Sequence, residues 1–286
     1  MMLCASIVYY FLILAGSIAH AQAPQTNAPV FKYCPPGDLQ QRPPRMRESG
    51  NRDRDVYFPI LTYPVAFKHP DQAAVMNSQM YNPGGGCHAG PGCSWEDGVS
   101  HGSHCDRHNF QPPSRDTFCE KAGRGYTNRS CPDRKGHQGV DMRPPTVLRG
   151  DSRNQCKPNV WDAIAITSGE VREVRGAVVV IRHPQGATFT YRHLQPLSIR
   201  HLRSKTRVAA GDFIGKISRY NNSGTKQYTT PHLHIEAKIE SSNGRTVVIP
   251  LYTSLIATYR RKVGLPDLIM NGKLGVDSSR EIAGGC

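Results

Sequence analysis

Long apolar runs, paired metal-cluster cysteines and acidic charge are what this sequence has little of. Beyond residue 21 no stretch approaches the ~20 apolar residues that a membrane-spanning helix needs, so the bulk of the chain reads as soluble. Its nine cysteines include no Cys-x-x-Cys pair, and their irregular spacing argues against a structural zinc cluster. Acidic residues number 22 against 36 Lys and Arg, a formal net charge of +14. That surplus favours anionic partners. The charge is scattered, however. Its densest early group, Arg42, Arg45, Arg47, Arg52 and Arg54, is broken by Pro43-Pro44 and interleaved with Glu48, Asp53 and Asp55. No regular basic helix and no aromatic-interleaved basic motif is present, which disfavours a specific nucleic-acid reader.

Charge is also missing from the first 21 residues, which hold no Lys, Arg, Asp or Glu. Residues 3–19 are mostly apolar, and Ala19-His20-Ala21 has the small-x-small form of a cleavage site. Residues 1–21 are therefore expected to be a secretory signal peptide cut near Ala21 or Ala23. The absent positive charge ahead of the apolar run departs from that pattern and keeps an uncleaved anchor as the alternative. Removal of Cys4 with the signal leaves Cys34, Cys87, Cys93, Cys105, Cys119, Cys131, Cys156 and Cys286. An even count in an exported chain implies disulfides, and eight cysteines admit about 105 pairings. Cys131 and Cys156 bracket residues 137–141, and a bond between them would steady that backbone.

Along the chain, residues 22–55 are rich in Pro, Gln and Arg and read as an extended or weakly ordered lead-in. Residues 56–82 turn apolar and aromatic and are expected to hold short strands. Residues 83–136, with Gly84-Gly85-Gly86, five cysteines and little periodicity, read as a disulfide-stapled insertion lying over a domain that spans 56–255. From Gly136 onward, short β-branched runs alternate with turn dipeptides: Ser168-Gly169, Arg175-Gly176 and Gln185-Gly186. This spacing predicts a mainly β fold, an antiparallel sheet with little helix. A short basic helix is expected at 251–263. The tail to 286 is Gly-rich and ends on Cys286, which a disulfide could tie back.

Two short segments carry chemistry. His137-Gln138-Gly139-Val140-Asp141 and His232-Leu233-His234 place metal-type ligands at even spacing. In a strand, 137, 139 and 141 share one face, as do 232 and 234. Gly139 leaves the space between His137 and Asp141 open. Three protein ligands plus a water describe a catalytic zinc site rather than a structural one. Either segment alone is weak, because His-x-x-x-Asp arises by chance and His-x-His is often two surface histidines. Tyr191-Arg192-His193-Leu194, ending a strand between them, adds a third element.

In that order the motifs resemble the lysostaphin/LytM family of zinc endopeptidases, which cut peptide crosslinks of bacterial cell walls. The resemblance covers about residues 136–240 and includes the Ser168-Gly169-Glu170-Val171 and Gly211–Gly215 turns. It implies that His137, Asp141 and His234 hold one zinc ion, and that His193 and His232 are the catalytic pair. His232 is the better general-base candidate and His193 its partner at the transition state, with the reverse order open. It implies peptidoglycan peptides as partner. The signal peptide points to a secreted or periplasmic location, and the chain is expected to be a monomer that binds no nucleic acid and, once the signal is cleaved, no membrane. Glu236 shares the parity of His234 and could orient it, although a surface salt bridge is the commoner use of such a residue. Residues 77–81 could line a cleft but read first as plain surface. Most of His88, His101, His104 and His108 in the insertion are expected to face solvent, with one of them capping the zinc in a latent form as the alternative. Competing functions are a secreted protease of Gly-rich protein segments, a non-catalytic activator of other wall hydrolases, and a disulfide-rich binding module. The presence of all five site residues argues against loss of catalysis.

Overall fold

The computed structural model describes residues 31–39, 50–69, 72–78, 107–110, 113–120, 126–144, 157–227, 229–241, 243–266, 268–275 and 286. The expected signal peptide and most of the Gly- and Cys-rich insertion, with His88, His101 and His104, lie outside them, as do Cys87, Cys93, Cys105 and Cys156. No helix among the described residues is long and apolar enough to cross a membrane.

The β-branched run Val178-Val179-Val180-Ile181 shows how the sheet forms. Val179 and Ile181 are fully buried on one face, while Arg182 is exposed. Alternation of this kind fits a pleated strand with one core face. It belongs to β5 (Val178–Arg182), which is joined to β4 (Gly169–Arg175) by a tight turn at Gly176. Gly176 sits at φ +59°, and a Cβ there would meet the Asn222 carbonyl oxygen at 2.3 Å, so only glycine fits.

The main sheet also takes in β1 (Val75–Met76), β2 (Val140–Arg143), β6 (Thr188–Arg192), β7 (Arg207–Val208), β9 (Leu233–Glu240) and β10 (Thr246–Ile249). Its order is β1-β2-β9-β6-β5-β4-β7, with β10 also paired to β9 and every pairing antiparallel. β9 is central: β6 flanks one edge, and β2 then β10 share the other. Two small sheets, β3 (Asp162–Ile164) with β8 (Phe213–Lys216) and β11 (Ile269–Met270) with β12 (Lys273–Leu274), complete the strands. The mainly antiparallel fold with little helix is as expected.

One helix, α1 (Tyr252–Lys262), closes the core. Tyr252, Leu255, Ile256 and Tyr259 pack with Tyr63, Val65 and the inner face of the sheet. Arg260, Arg261 and Lys262 end it, where cations suit the negative pole of the helix. The helix runs across the 255/256 line drawn from sequence. Strand content in 56–82 is smaller than expected: among the described residues only β1 is a named strand there.

Two disulfides join the described cysteines. Cys34 bonds Cys286, tying the tail back as anticipated, and Cys119 bonds Cys131. The second corrects the suggested Cys131–Cys156 pairing. Parts of the lead-in are packed: Tyr33, Cys34 and Leu39 are buried, and the Cys34 N–H donates to the Ser114 carbonyl at 2.8 Å.

Candidate metal centre

Strand parity assembles half of the site. Val140, Met142, Phe189, Tyr191, Leu233, Ile235 and Ala237 point into the core. The alternate positions on the same strands, Asp141, Arg192, His234, Glu236 and Lys238, share the opposite face. Register sets Asp141 beside His234 and His234 beside Arg192, one row across β2, β9 and β6.

His137 precedes β2, so its direction is not a matter of strand parity, as the sequence reading assumed. A backbone clamp sets it instead. The His137 N–H donates to the Glu120 carbonyl at 2.8 Å, and the His137 carbonyl accepts from the Cys119 N–H at 3.0 Å and Asn128 Nδ2 at 3.0 Å. Thr117 completes the clamp. Its carbonyl accepts from His137 Nδ1 at 2.8 Å, and its Oγ1 accepts the Asp141 N–H at 2.9 Å. The disulfide Cys119–Cys131 closes this segment.

Three donor atoms converge. His137 Nε2 lies 2.9 Å from His234 Nδ1, His234 Nδ1 lies 2.9 Å from Asp141 Oδ1, and Asp141 Oδ1 lies 3.4 Å from His137 Nε2. Ligands about 2.05 Å from a tetrahedral zinc would be about 3.3 Å apart, so these edges suit one ion. The second bonds of the rings decide the tautomers. His137 Nδ1 faces the Thr117 carbonyl and must carry a proton, and His234 Nε2 donates to Glu236 Oε1 at 2.9 Å. In the neutral rings this leaves two nitrogen lone pairs and a carboxylate aimed at one point, a donor set that could hold a metal cation.

The electrostatics agree. Burial opposes the Asp141 charge, yet the neighbouring His137 and His232 hold its carboxyl well below the ordinary range. Burial disfavours charge on His137, but Asp141 prevails and raises it to about 9. A proton there does what a dication would do. Gly139 keeps the space clear: a Cβ would come within 2.5 Å of the Ile235 carbonyl and 2.8 Å of His234 Nε2.

Beside this cluster, His193 and His232 face each other with ring centroids 4.4 Å apart. His193 Nδ1 meets the Tyr220 carbonyl at 2.6 Å and His232 Nδ1 the Thr230 carbonyl at 2.8 Å. Both Nδ1 atoms therefore donate, so in the neutral rings each Nε2 carries the lone pair. His232 Nε2 lies 3.6 Å from Asp141 Oδ1. Burial, with His193 and Arg143, lowers the His232 pKa well below its ordinary value against the pull of Asp141. His193, just past β6, has φ +64°, a left-handed conformation costly for a non-glycine residue. The cleft over these groups is also lined by Tyr126, Gln138, Arg192 and Asn222.

The structure thus brings all five residues singled out from sequence into one cluster. It corrects two secondary readings. Glu236 is no surface salt bridge: it is 4% exposed and binds His234, Arg192 and Lys238. Asn77 and Ser78 are buried rather than plain surface, and residues 79–81 lie outside the described set. Sequence reasoning missed Thr117, for which no local signal exists. It also missed Arg143, which parity two residues after Asp141 could have shown. Arg143 is fully buried, donates from Nε to the Asn77 carbonyl at 3.0 Å and bonds Thr230 Oγ1.

Residues 158–247 match the model of peptidase family M23. The matched stretch holds His193, His232 and His234 and begins after His137 and Asp141. No curated protein sequence matches the chain. Among solved structures it is similar to a chain described as a LytM glycyl-glycine endopeptidase from Ruminococcus gnavus, at 24% identity and TM-score 0.35, over 43% of this chain and 47% of that one. It is also similar to the catalytic domain of lysostaphin from Staphylococcus simulans, at 22% identity and TM-score 0.32, over 47% and 90%. A zinc-containing peptidase from Vibrio cholerae aligns at 23% identity and TM-score 0.27, over 43% and 33%. The chain thus spans about half the length of the first of these.

Proposed function

We propose that this chain, whose residues 158–247 match the model of peptidase family M23, is a zinc endopeptidase that hydrolyses peptide crosslinks of bacterial peptidoglycan. One observation carries the reading: the lone pairs of His137, Asp141 and His234 converge on one point beside two histidines, His193 and His232, each held through Nδ1 by a backbone carbonyl. Held there, zinc would supply Lewis acidity at the scissile carbonyl and ease deprotonation of water.

The protein's own groups do the rest. His232, kept neutral by burial, is set to accept the attacking water's proton at Nε2 and return it to the leaving amine. In its protonated form His193, fixed by the Tyr220 carbonyl at Nδ1, is placed to donate a hydrogen bond from Nε2 to the developing oxyanion. The reverse assignment uses the same two atoms. The net charge of +14 favours approach to an anionic wall polymer. The disulfides Cys34–Cys286 and Cys119–Cys131 fit an oxidising compartment, in keeping with export.

Digestion of purified peptidoglycan with mass spectrometry of the products tests the reading. Crosslinked dimers should disappear and monomers accumulate with the glycan intact. Released disaccharides with crosslinks retained would overturn it, and cleavage of Gly-rich proteins alone would redirect it.

A further inference from the structure

Resting on that reading, we infer that Arg192 is a specificity-determining residue that receives a free carboxylate of the substrate peptide next to the scissile bond. Arg192 stands in the same cross-strand row as His234 and Asp141 and on the same face of the sheet. Glu236 Oε1 bridges them, accepting from His234 Nε2 at 2.9 Å and from Arg192 Nε at 2.9 Å. The guanidinium is thus anchored one carboxylate away from the metal centre.

Only Nε is engaged. The terminal nitrogens of Arg192 have no hydrogen-bond partner among the described residues, and its side chain is 25% exposed in the cleft. A structural arginine uses its fork on the protein, as Arg260 does on the Pro266 carbonyl through Nε and a terminal nitrogen. Arg192 leaves its fork to the cleft. Glu236 does not consume the charge alone, because Lys238 Nζ also approaches it at 2.9 Å. A planar fork with two outward N–H groups matches a carboxylate bidentately. The neighbours Tyr126, Gln138 and Asn222 are polar and uncharged, so the cationic edge of the cleft opening is Arg192.

The chemical class follows. A crosslink in which the amine-side residue keeps its own carboxylate, as in a D-Ala–diaminopimelate bond, offers that anion on the carbon that carries the scissile nitrogen. A glycine bridge offers none. Arg192 favours the first.

The test uses the zinc-loaded full chain and two peptides. One is acyl-D-Ala–diaminopimelate with the adjacent carboxylate free, and the other has that carboxylate as a primary amide. Cleavage is followed on both. Calorimetric binding is measured on their non-cleavable forms, with the scissile carbonyl reduced to CH2. Wild type should bind the free acid about tenfold or more tighter. Arg192→Gln should remove that preference with zinc content unchanged, and Arg192→Lys should restore part of it. Equal binding of the two peptides by wild type would overturn the inference. So would an equal loss on both in Arg192→Gln, which would make Arg192 a positioning residue acting through Glu236. Preferential binding without cleavage of either parent would sink the peptidase reading and leave carboxylate recognition standing. Cleavage without preference would do the reverse.

Discussion

Glu236 joins two chemistries through one oxygen, orienting His234 and anchoring Arg192. The His234 tautomer depends on it, so Glu236→Ala should weaken zinc binding about 10- to 100-fold in a chelator-competition titration. Unchanged affinity would show that His234 is oriented without it. The two classes of histidine should also separate. Replacing His137, Asp141 or His234 by Ala should abolish tight zinc binding, with the native chain carrying about one zinc by elemental analysis. His193→Ala and His232→Ala should keep the metal and lose roughly a hundredfold or more in turnover. Full zinc in all three ligand variants, or wild-type turnover in either catalytic variant, would reassign the residue concerned. The lowered His232 pKa sets a pH expectation. A base with a depressed pKa stays neutral to lower pH, so the acidic limb of kcat/KM should fall below 6.5, at pH values where zinc is still measured as bound. A limb above 6.5 would show that His232 is charged more readily than its burial implies.

At the scale of the element, the site depends on where β2 begins and on what holds the residues ahead of it. Gly139 approaches both Ile235 and His234, so Gly139→Ala must push β9 or its histidine aside. Loss of zinc affinity with the fold retained by circular dichroism is the expected outcome, and native affinity would mean that the neighbours give way freely. The clamp over residues 117–137 is closed by Cys119–Cys131, 12 residues apart. In the chain-entropy account that crosslink contributes about 3 kcal/mol. A Cys119→Ser/Cys131→Ser double variant should unfold at lower denaturant and bind zinc more weakly, because His137 is hydrogen-bonded to this segment at both backbone groups. Lower stability with unaltered zinc affinity would confine the disulfide to a structural role.

For the whole molecule, Cys34–Cys286 links positions 252 residues apart, and the Cys34 N–H, bonded to the Ser114 carbonyl, holds part of the lead-in against the loop that carries Ser114 and Thr117. The described part of the lead-in is therefore coupled to the site: Asp116 accepts from the Gly37 N–H at 3.1 Å, one residue from the Thr117 that holds His137 and Asp141. Denatured, unreduced protein made in an exporting compartment should show almost no free thiol, since all eight cysteines beyond Cys4 are expected to be paired. Several free thiols would point to a metal-bound or reduced state. Binding to an anionic wall polymer should weaken as salt rises, as expected for a charge of +14 acting through a screened field.

The antiparallel sheet was legible in the linear sequence because it rests on local periodicity, whereas the five candidate site residues stood out through ligand-type spacing together with the family resemblance. Alternation along β6 and β9 puts Arg192, His234 and Glu236 on one face wherever the strand goes. Turn glycines such as Gly176 mark where it reverses. What sequence could not settle depends on partners far along the chain. His137 points at the metal position because residues 117, 119, 120 and 128 grip it, and nothing in its own neighbourhood encodes them. Glu236 reads locally as an ordinary exposed acid, and only the packing of β6 against β9 buries it between His234 and Arg192. Disulfide partners are of the same kind: spacing admits many pairings, and three-dimensional proximity selected Cys119 for Cys131.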